Sequence, residues 1–225
     1  MAMFHIWSQY VPESEEEQRR HKLAQSTWDK QLWTEVPVKD SDLKRPFIEN
    51  GRILPRVVDL FDIGCCGLDG QDIVVFSNSD IGMADLAFVK IAMLLQSVTA
   101  GWGNRKDFDA CRQVVPTPEE IQMASCNSGT DLFFFRVRWW QKHRGRYPDM
   151  VIAREAWDPC MRELMAMTNG FEDIALPNLC WHQNHGGQTH WVNNRYTLPG
   201  QINNRNNAKR FLASIGKNPI NYGIR

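Results

Sequence analysis

Short apolar segments alternate along the chain with longer segments whose apolar residues recur at helical spacing. Residues 4–10 are predicted to form a first strand. The wholly apolar run at 73–76 is typical of a central strand that is covered on both faces. Helices are predicted at 84–96 and 150–167, where apolar residues recur with a period near 3.6. This alternation predicts an α/β fold with a mostly parallel central sheet flanked by helices.

The remaining predicted elements are marked by residues that start or stop a segment. Pro12 and the acidic residues after it indicate the start of a helix that reaches Trp28. Strands are predicted at 32–38 and 132–137, and a helix at 54–61. Residues 1–191 are therefore interpreted as a single Rossmann-like domain. Residues 192–225 are interpreted as a C-terminal polar tail, packed on the domain or partly mobile, with one short helix near 208–215.

Charge and composition limit the classes of function. The chain has 26 Lys and Arg against 26 Asp and Glu, so its net charge is zero and no overall basic field attracts nucleic acid. A basic, aromatic stretch at 136–147 is interpreted as a solvated helix face, with an anion-binding rim as the alternative. Nucleic acid is therefore a partner that the sequence allows but does not favour.

Neither a membrane span nor a secretory signal is predicted, because no run of about 18 apolar residues occurs and the first residues lack a basic and then apolar pattern. None of the six cysteines forms a C-x-x-C pair, so reduced thiols are expected. These features favour a cytoplasmic location, in a bacterium or a virus-infected host cell.

The polar run Ser77-Asn78-Ser79-Asp80 follows the apolar strand at 73–76 directly. In parallel α/β sheets, ligands bind at the carboxyl ends of strands. A carboxylate delivered there suits Mg²⁺ or Mn²⁺, which take oxygen ligands and often bind through one or two carboxylates and substrate phosphates. Asp80 is thus a candidate metal ligand. The alternative is that Asp80 caps the turn that follows.

Three histidines cluster near the end of the domain, in the sequence Cys180-Trp-His-Gln-Asn-His-Gly-Gly-Gln-Thr-His190. The two glycines indicate a loop, and imidazole suits Mn²⁺, Zn²⁺ or Fe²⁺. His182 and His185 are spaced to bind one metal ion together, and Cys180 could join a zinc site. The alternative is that each histidine, including His190, makes separate contacts.

Two further segments contain polar residues that are candidates for ligand binding or catalysis. Gly129 permits close backbone approach to a ligand, and Asp131 could bind hydroxyl groups of a sugar or an acceptor; the alternative is a turn that starts a strand. In the predicted helix at 150–167, Glu155 and Asp158 are candidate general bases, and Trp157 could stack on a sugar ring. The alternative is that Trp157 is a core residue and that the charges pair across one helical turn.

Taken in order, these motifs resemble those of GT-A glycosyltransferases over residues 4–191. The resemblance implies a nucleotide-sugar-binding sheet with a metal-binding D-x-D motif at a strand end, here Asn78-Ser79-Asp80. The sequence departs from that motif because Asn78 replaces the first Asp. By the same resemblance, His185 or His182 completes the metal shell. The remaining donor-site residues that it implies are Ser8 and Gln9 near the nucleotide base and Arg20 near the diphosphate.

The implied activity is metal-assisted transfer of a sugar from a nucleotide diphosphate donor to an acceptor hydroxyl, with Mn²⁺ or Mg²⁺ and with Asp158 or Glu155 as base. The donor sugar, the acceptor and the stereochemistry stay open; a hydroxylated nucleobase in DNA is a minority hypothesis. A nucleotidyltransferase is disfavoured because residues 9–17 are acidic and lack glycine. The sequence also allows a non-catalytic carbohydrate- or protein-binding module, and a zinc or iron hydrolase or oxygenase built on the histidine loop.

Overall fold

The computed structural model describes residues 1–8, 14–28, 33–109, 112–169, 175–184 and 197–224. Within these ranges the chain forms nine strands and seven α-helices. The strands are β1 Met3–Ser8, β2 Thr34–Val38, β3 Phe47–Glu49, β4 Arg52–Leu54, β5 Ile73–Ser77, β6 Ile81–Met83, β7 Ala100–Phe108, β8 Cys126–Arg136 and β9 Ala175–Gln183. The helices are α1 Glu15–Gln25, α2 Val57–Gly64, α3 Ala87–Leu94, α4 Pro118–Met123, α5 Val137–His143, α6 Trp157–Asn169 and α7 Pro199–Ser214.

Seven strands form one mixed sheet in the order β2-β1-β5-β8-β7-β9-β6, and β3 and β4 form a separate hairpin. The predicted α/β class with a helix-flanked sheet is confirmed. Strand β1 pairs parallel with β2 and β5, and β7 pairs parallel with β9. Strand β8 is antiparallel to β5 and β7, and β6 is antiparallel to β9. As a result β5, β7 and β9 all end at the edge of the sheet where β8 begins.

The core explains why β5 lies inside this sheet, between β1 and β8. All five of its residues are buried, as its apolar sequence predicts. Four aromatic rings from the sheet and two helices pack together beside it: Phe61 lies 5.4 Å from Phe76, 5.1 Å from Phe135 and 5.1 Å from Trp140 between ring centroids. Such ring contacts and the buried apolar area fix the position of the β5 carboxyl end.

Helix α1 begins as the sequence predicts and is attached to the segment after β5. The Ser14 hydroxyl accepts a hydrogen bond from the Glu17 N–H at 3.2 Å, and three glutamates occupy the first turn. Just beyond the helix, the Trp28 indole donates to the Ile81 carbonyl at 2.9 Å, and the Thr27 hydroxyl accepts from the Met83 N–H at 2.8 Å. These bonds hold β6 against the end of α1.

Two predicted helices begin later than expected. The helix predicted from residue 84 begins only at Ala87, because Leu86 before it adopts a left-handed conformation with φ of 59°. The helix predicted from residue 150 begins at Trp157, because Ala153 and Ala156 adopt left-handed conformations with φ of 61° and 78°. A residue with such a φ cannot continue a right-handed helix.

Helix α7 covers 16 residues, about twice the length of the short helix predicted in the C-terminal segment. Its residues Ala208, Phe211 and Leu212 belong to the main hydrophobic core. No helix in the described ranges is long and apolar enough to cross a membrane. The cysteines for which thiols are described, namely Cys65, Cys66, Cys160 and Cys180, are free.

Candidate functional site

Five charged side chains near the ends of β5, β7 and β9 form a continuous series of contacts. We call this series, together with Asp158 at the start of α6, the carboxylate row. In spatial order its members are Asp158, Asp131, Arg105, Asp107, His182 and Asp80. The row contains four aspartates and two basic residues. It is assembled by the sheet order, since β8, β7 and β9 are successive neighbours and β6 follows β9.

Asp131 is held by two donors. The Asn78 amide donates to one carboxylate oxygen at 2.7 Å, and the Arg105 guanidinium binds the other at 2.5 Å. Gly129 makes room for this guanidinium, because a Cβ atom there would lie 3.2 Å from both Cζ and Nε of Arg105. Asp131 therefore anchors Arg105 and Gly129 leaves space for its guanidinium, while the ligand contacts predicted for these two residues stay predictions.

Arg105 links Asp131 to Asp107, whose carboxylate lies 3.0 Å from the guanidinium Nε. Burial alone would lower the pKa of Arg105, but the charges of Asp131 and Asp107 outweigh it and raise the pKa. Arg105 is thus a fixed positive charge in the middle of the row.

His182 lies between two carboxylates. Its Nδ1 is 3.4 Å from Asp107 and its Nε2 is 3.3 Å from Asp80. Burial lowers the pKa of this imidazole, yet contacts with Asp107 and Asp80 raise it to about 9. The ring therefore carries a positive charge near neutral pH, and both nitrogens face carboxylates.

His182 belongs to β9 and not to a loop as predicted, and this strand explains how it meets Asp80. Ile81 of β6 pairs directly with His182 in the antiparallel register. Asp80 precedes Ile81 and therefore lies beside the imidazole. Asp80 is also the more accessible carboxylate: its side chain is 21% exposed, against 9% for Asp107 and 13% for Asp131.

Asp158 lies in the first turn of α6. Burial, and next the negative charge of Asp131, raise the pKa of its carboxyl to about 7. A carboxylate with this pKa is suited to accept a proton near neutral pH. Its neighbour Trp157 is buried and packs 5.2 Å from Phe133 and 5.8 Å from Phe76 between ring centroids, so Trp157 is a core residue.

Glu155, the other candidate base, contacts α7. Its carboxylate accepts a hydrogen bond from the Gln201 amide at 2.9 Å, and its backbone N–H donates to the Gln201 oxygen at 2.9 Å. Glu155 is therefore paired with Gln201 of α7, a contact that Asp158 does not make.

The other residues expected at the donor site are distributed differently. Ser8 ends β1 opposite Val38 of β2, on the same sheet edge as Asn78. Arg20 pairs with Glu16 one turn earlier on α1 at 2.6 Å, and its side chain is only 8% exposed. Three further predicted positions lie outside the described residues: Gln9, His185 and His190.

Sequence reasoning missed Arg105 and Asp107 because it missed β7. That strand contains two glycines and four charged or amide residues, which are weak strand formers. Arg105 and Asp107 are two residues apart, so they lie on the same face of a strand. The sequence indicates this only once strand β7 is known.

The described residues contain no group of three His, Cys, Asp or Glu side chains that could hold a metal ion. Of Asp80, Asp107 and Asp131, Asp80 is the most exposed, and its carboxylate is a hard oxygen donor that fits Mg²⁺ or Mn²⁺ when phosphate oxygens supply further ligands. His182 could act as a ligand only by releasing a carboxylate from one ring nitrogen.

No known family model matches the chain, and no curated protein matches it. Among solved structures, the chain is similar to S. aureus TarS residues 1–349 in complex with UDP-GlcNAc, with a TM-score of 0.43 and 10% identity over 94% of this chain and 72% of that chain. A second structure of TarS 1–349 gives a TM-score of 0.39 and 9% identity over 94% and 71%. At these TM-scores the likeness assigns no role to any residue.

Proposed function

We propose that the protein is a metal-assisted glycosyltransferase that moves a sugar from a nucleotide diphosphate donor to an acceptor hydroxyl. One observation carries the proposal: the carboxylate row joins an accessible strand-end carboxylate, Asp80, to a carboxyl suited to accept a proton, Asp158. A transferase of this kind needs both functions near each other, one at the leaving diphosphate and one at the attacking hydroxyl.

The charge of the row supports a role for a cation at the Asp80 end. Four aspartates face only two basic residues, Arg105 and His182, and those two are already paired with row carboxylates. A diphosphate approaching Asp80 would meet net negative charge, and a divalent cation between them removes the repulsion. We therefore propose that Asp80 holds Mg²⁺ or Mn²⁺ together with donor phosphate oxygens; when bound, the ion neutralises charge on the departing diphosphate.

Asp158 supplies the proton acceptor in this proposal. Its carboxylate takes the proton of the acceptor hydroxyl, the acceptor oxygen forms a bond to the anomeric carbon, and the bond from that carbon to the diphosphate oxygen breaks. The leaving diphosphate keeps the electron pair. Arg105 and Asn78 hold Asp131 in place; burial, and next the charge of Asp131, raise the pKa of Asp158 to about 7.

Nucleotide binding is the first test. Thermal unfolding is measured with UDP, GDP, ADP and dTDP, each with and without Mn²⁺. A nucleotide at about one hundred times its dissociation constant adds about 2.7 kcal/mol of stability, and each kcal/mol raises Tm by roughly 2–4 °C at this size. We expect one nucleotide to raise Tm only with Mn²⁺ and Mn²⁺ alone to have little effect, because Asp80 is a single protein ligand.

The variant Asp80→Asn should abolish the shift, whereas the control Asp85→Asn, which changes an exposed carboxylate five residues away, should preserve it. A strong shift by metal alone would contradict the proposal and favour the histidine-loop enzyme. If no nucleotide shifts Tm, the donor-binding proposal is wrong.

Turnover is the second measurement and separates an enzyme from a binding module. Nucleotide sugars of the stabilising base, with UDP-GlcNAc included because TarS binds it, are incubated with the protein and released nucleoside diphosphate is quantified. We expect release to increase with pH through about 7 and Asp158→Asn to reduce it by roughly 10²–10⁴-fold, with unchanged nucleotide affinity. Binding without any release would identify a non-catalytic module.

A further inference from the structure

Asp158 follows a short segment in an unusual conformation. Ala153 and Ala156 have φ of 61° and 78°, a region that costs free energy for any residue with a Cβ atom. Such conformations persist only when surrounding contacts hold them, and they cluster at functional sites. The segment from 151 to 156 joins the connection between β4 and α2 to the start of α6. Its Ile152 N–H donates to the Pro55 carbonyl at 2.9 Å, and Val151 pairs with Arg56 in an antiparallel bridge.

Helix α7 binds this segment through two buried amide side chains. Asn204 accepts from the Val151 N–H at 2.8 Å and donates to the Val151 carbonyl at 2.8 Å and to the Glu155 carbonyl at 3.1 Å. Gln201 exchanges two hydrogen bonds with Glu155, both at 2.9 Å. Both amides are almost completely buried, Asn204 at 0% and Gln201 at 1% exposure.

A buried ion pair fixes the centre of the same segment. Arg154, which lies between the two left-handed alanines, binds the Glu49 carboxylate. The other oxygen of Glu49 accepts the Gly200 N–H in the first turn of α7 at 2.7 Å. Glu49 thus connects the segment and α7 to strand β3. Helix α7 contacts the segment near both of its ends, at Val151 and at Glu155.

The start of α6 is anchored on its other side. The Tyr147 hydroxyl donates to the Trp157 carbonyl at 2.8 Å, and the Trp157 ring packs on β5 and β8. Trp157 thus fixes one side of the first turn of α6 in the core, and residues 151–156 lead directly into this turn. Asp158, the residue after Trp157, lies in the same turn.

We infer that α7 is a positioning element of the site, in which Asn204 and Gln201 hold the segment 151–156 and thereby set the position of the Asp158 carboxyl. The inference rests on the proposed function for its catalytic meaning. Its structural part, that two amides of the C-terminal helix control the surroundings of Asp158, is independent of any reaction.

The test uses three variants of the full chain: Asn204→Ala, Gln201→Leu and the control Asn206→Ala. Asn206 lies on the same helix but is exposed. Gln201→Leu keeps the side-chain volume and removes only the two bonds to Glu155, so it serves if Asn204→Ala does not fold. Each variant is first shown to be folded by circular dichroism.

The first readout is the titration of the Asp158 carboxyl by NMR on protein with ¹³C-labelled aspartate, assigned with Asp158→Asn. The charged and titratable groups around it are Asp131 on β8, Arg162 and Cys160 on α6, and Tyr147 before the segment. None of these is changed by the variants. We expect the midpoint to fall by about one pH unit or more in Asn204→Ala and Gln201→Leu, as the carboxyl moves away from Asp131 or into water.

The second readout is turnover of the nucleotide sugar found in the release assay. We expect kcat to fall at least tenfold with KM within twofold, because the Asp80 end of the row does not contact α7 through these amides. Asn206→Ala should match the parent in both readouts. Folded variants with the parent titration and the parent kcat would overturn the inference.

The two readouts separate the inference from the proposed function. If no nucleotide sugar is turned over, the proposed function fails, and the carboxyl titration alone still decides whether α7 positions Asp158. If release occurs and depends on Asp158 while the titration is the same in all variants, the proposed function stands and the inference is wrong.

Discussion

At the scale of single residues, the site separates two carboxylates by their surroundings. Asp80 is partly exposed and lies beside the positive charge of His182. Asp158 is held where burial and Asp131 disfavour its charge, and its pKa rises from 3.8 to about 7. In the proposed function these two aspartates have different tasks: Asp80 holds a cation and Asp158 takes up a proton.

The raised pKa of Asp158 makes a prediction about stability that needs no substrate. Because the folded pKa is about 7 and the unfolded value is 3.8, the unfolded chain loses this proton first as pH rises. The contribution of Asp158 to the free energy of unfolding therefore falls between about pH 4 and pH 7 and is constant above. We expect Asp158→Asn to gain stability relative to the parent between pH 5 and pH 8, measured by urea unfolding.

The control for this pH dependence is Asp85→Asn, which changes an exposed carboxylate. The difference in unfolding free energy between this variant and the parent should be the same at pH 5 and pH 8. If Asp158→Asn also shows an unchanged difference, the pKa of Asp158 is ordinary and its role as proton acceptor loses its physical basis.

Sequence reasoning found part of the row and missed its centre. Asp80 follows an apolar strand, and Asp158 lies within a predicted helix, so local patterns point to both. Arg105 and Asp107 lie on a strand without an apolar pattern, and their contacts with Asp131 and His182 depend on the pairing of β7 with β8 and β9. Such pairing includes register shifts near Asn104, which local sequence does not specify.

At the scale of elements, the short strand β6 places Asp80 against β9, and a glycine permits this. Gly82 pairs with Trp181, and the indole lies over the Gly82 Cα. A Cβ atom at position 82 would lie 2.1 Å from Cε2 and 2.3 Å from Cζ2 of that ring. Either the buried indole or the strand would have to move.

We therefore expect Gly82→Ala to lower the free energy of unfolding by about 1–3 kcal/mol, measured by urea unfolding. Nucleotide affinity should fall as well, because a shift of β6 moves Asp80 relative to His182. Gly145→Ala is the matched control, since a Cβ atom there meets no atom within 4 Å, and its effect should stay within about 0.5 kcal/mol. Equal effects of the two variants would show that β6 does not fit tightly under Trp181.

The elements that sequence predicts well are those with strong local patterns. Strand β5 is uniformly apolar, and α1 has a serine cap followed by glutamates. The start of α6 is misplaced by sequence reasoning because Ala153 and Ala156 are good helix formers by propensity. Their left-handed conformations are imposed by contacts with Glu49 and α7, which are distant in sequence.

At the scale of the whole molecule, α7 connects the C-terminal part of the chain to β3 and to the segment before α6. It packs apolar residues into the main core and binds the segment before α6 through Asn204 and Gln201. Its sequence is rich in Asn and Arg, which is why the pattern favours a polar tail. Three of its four asparagines, Asn203, Asn204 and Asn207, donate to backbone carbonyls of residues 149–155.

The last prediction tests whether α7 unfolds together with the sheet. All nine tryptophans of the chain precede residue 192, so none of them lies on α7 and their fluorescence reports on the rest of the chain. Leu212→Ala removes a fully buried side chain from α7, and the loss is about 2–5 kcal/mol for such a change. If α7 is part of one cooperative unit, the free energy of unfolding measured by tryptophan fluorescence in urea falls by that amount, although no tryptophan lies on the helix.

The control is Ile202→Ala, an aliphatic change on the same helix at a side chain that is 44% exposed. It should change this free energy by less than about 0.5 kcal/mol. An unshifted tryptophan transition for Leu212→Ala would mean that α7 detaches before the sheet unfolds, and a helix that detaches so easily could not hold Asp158 in position.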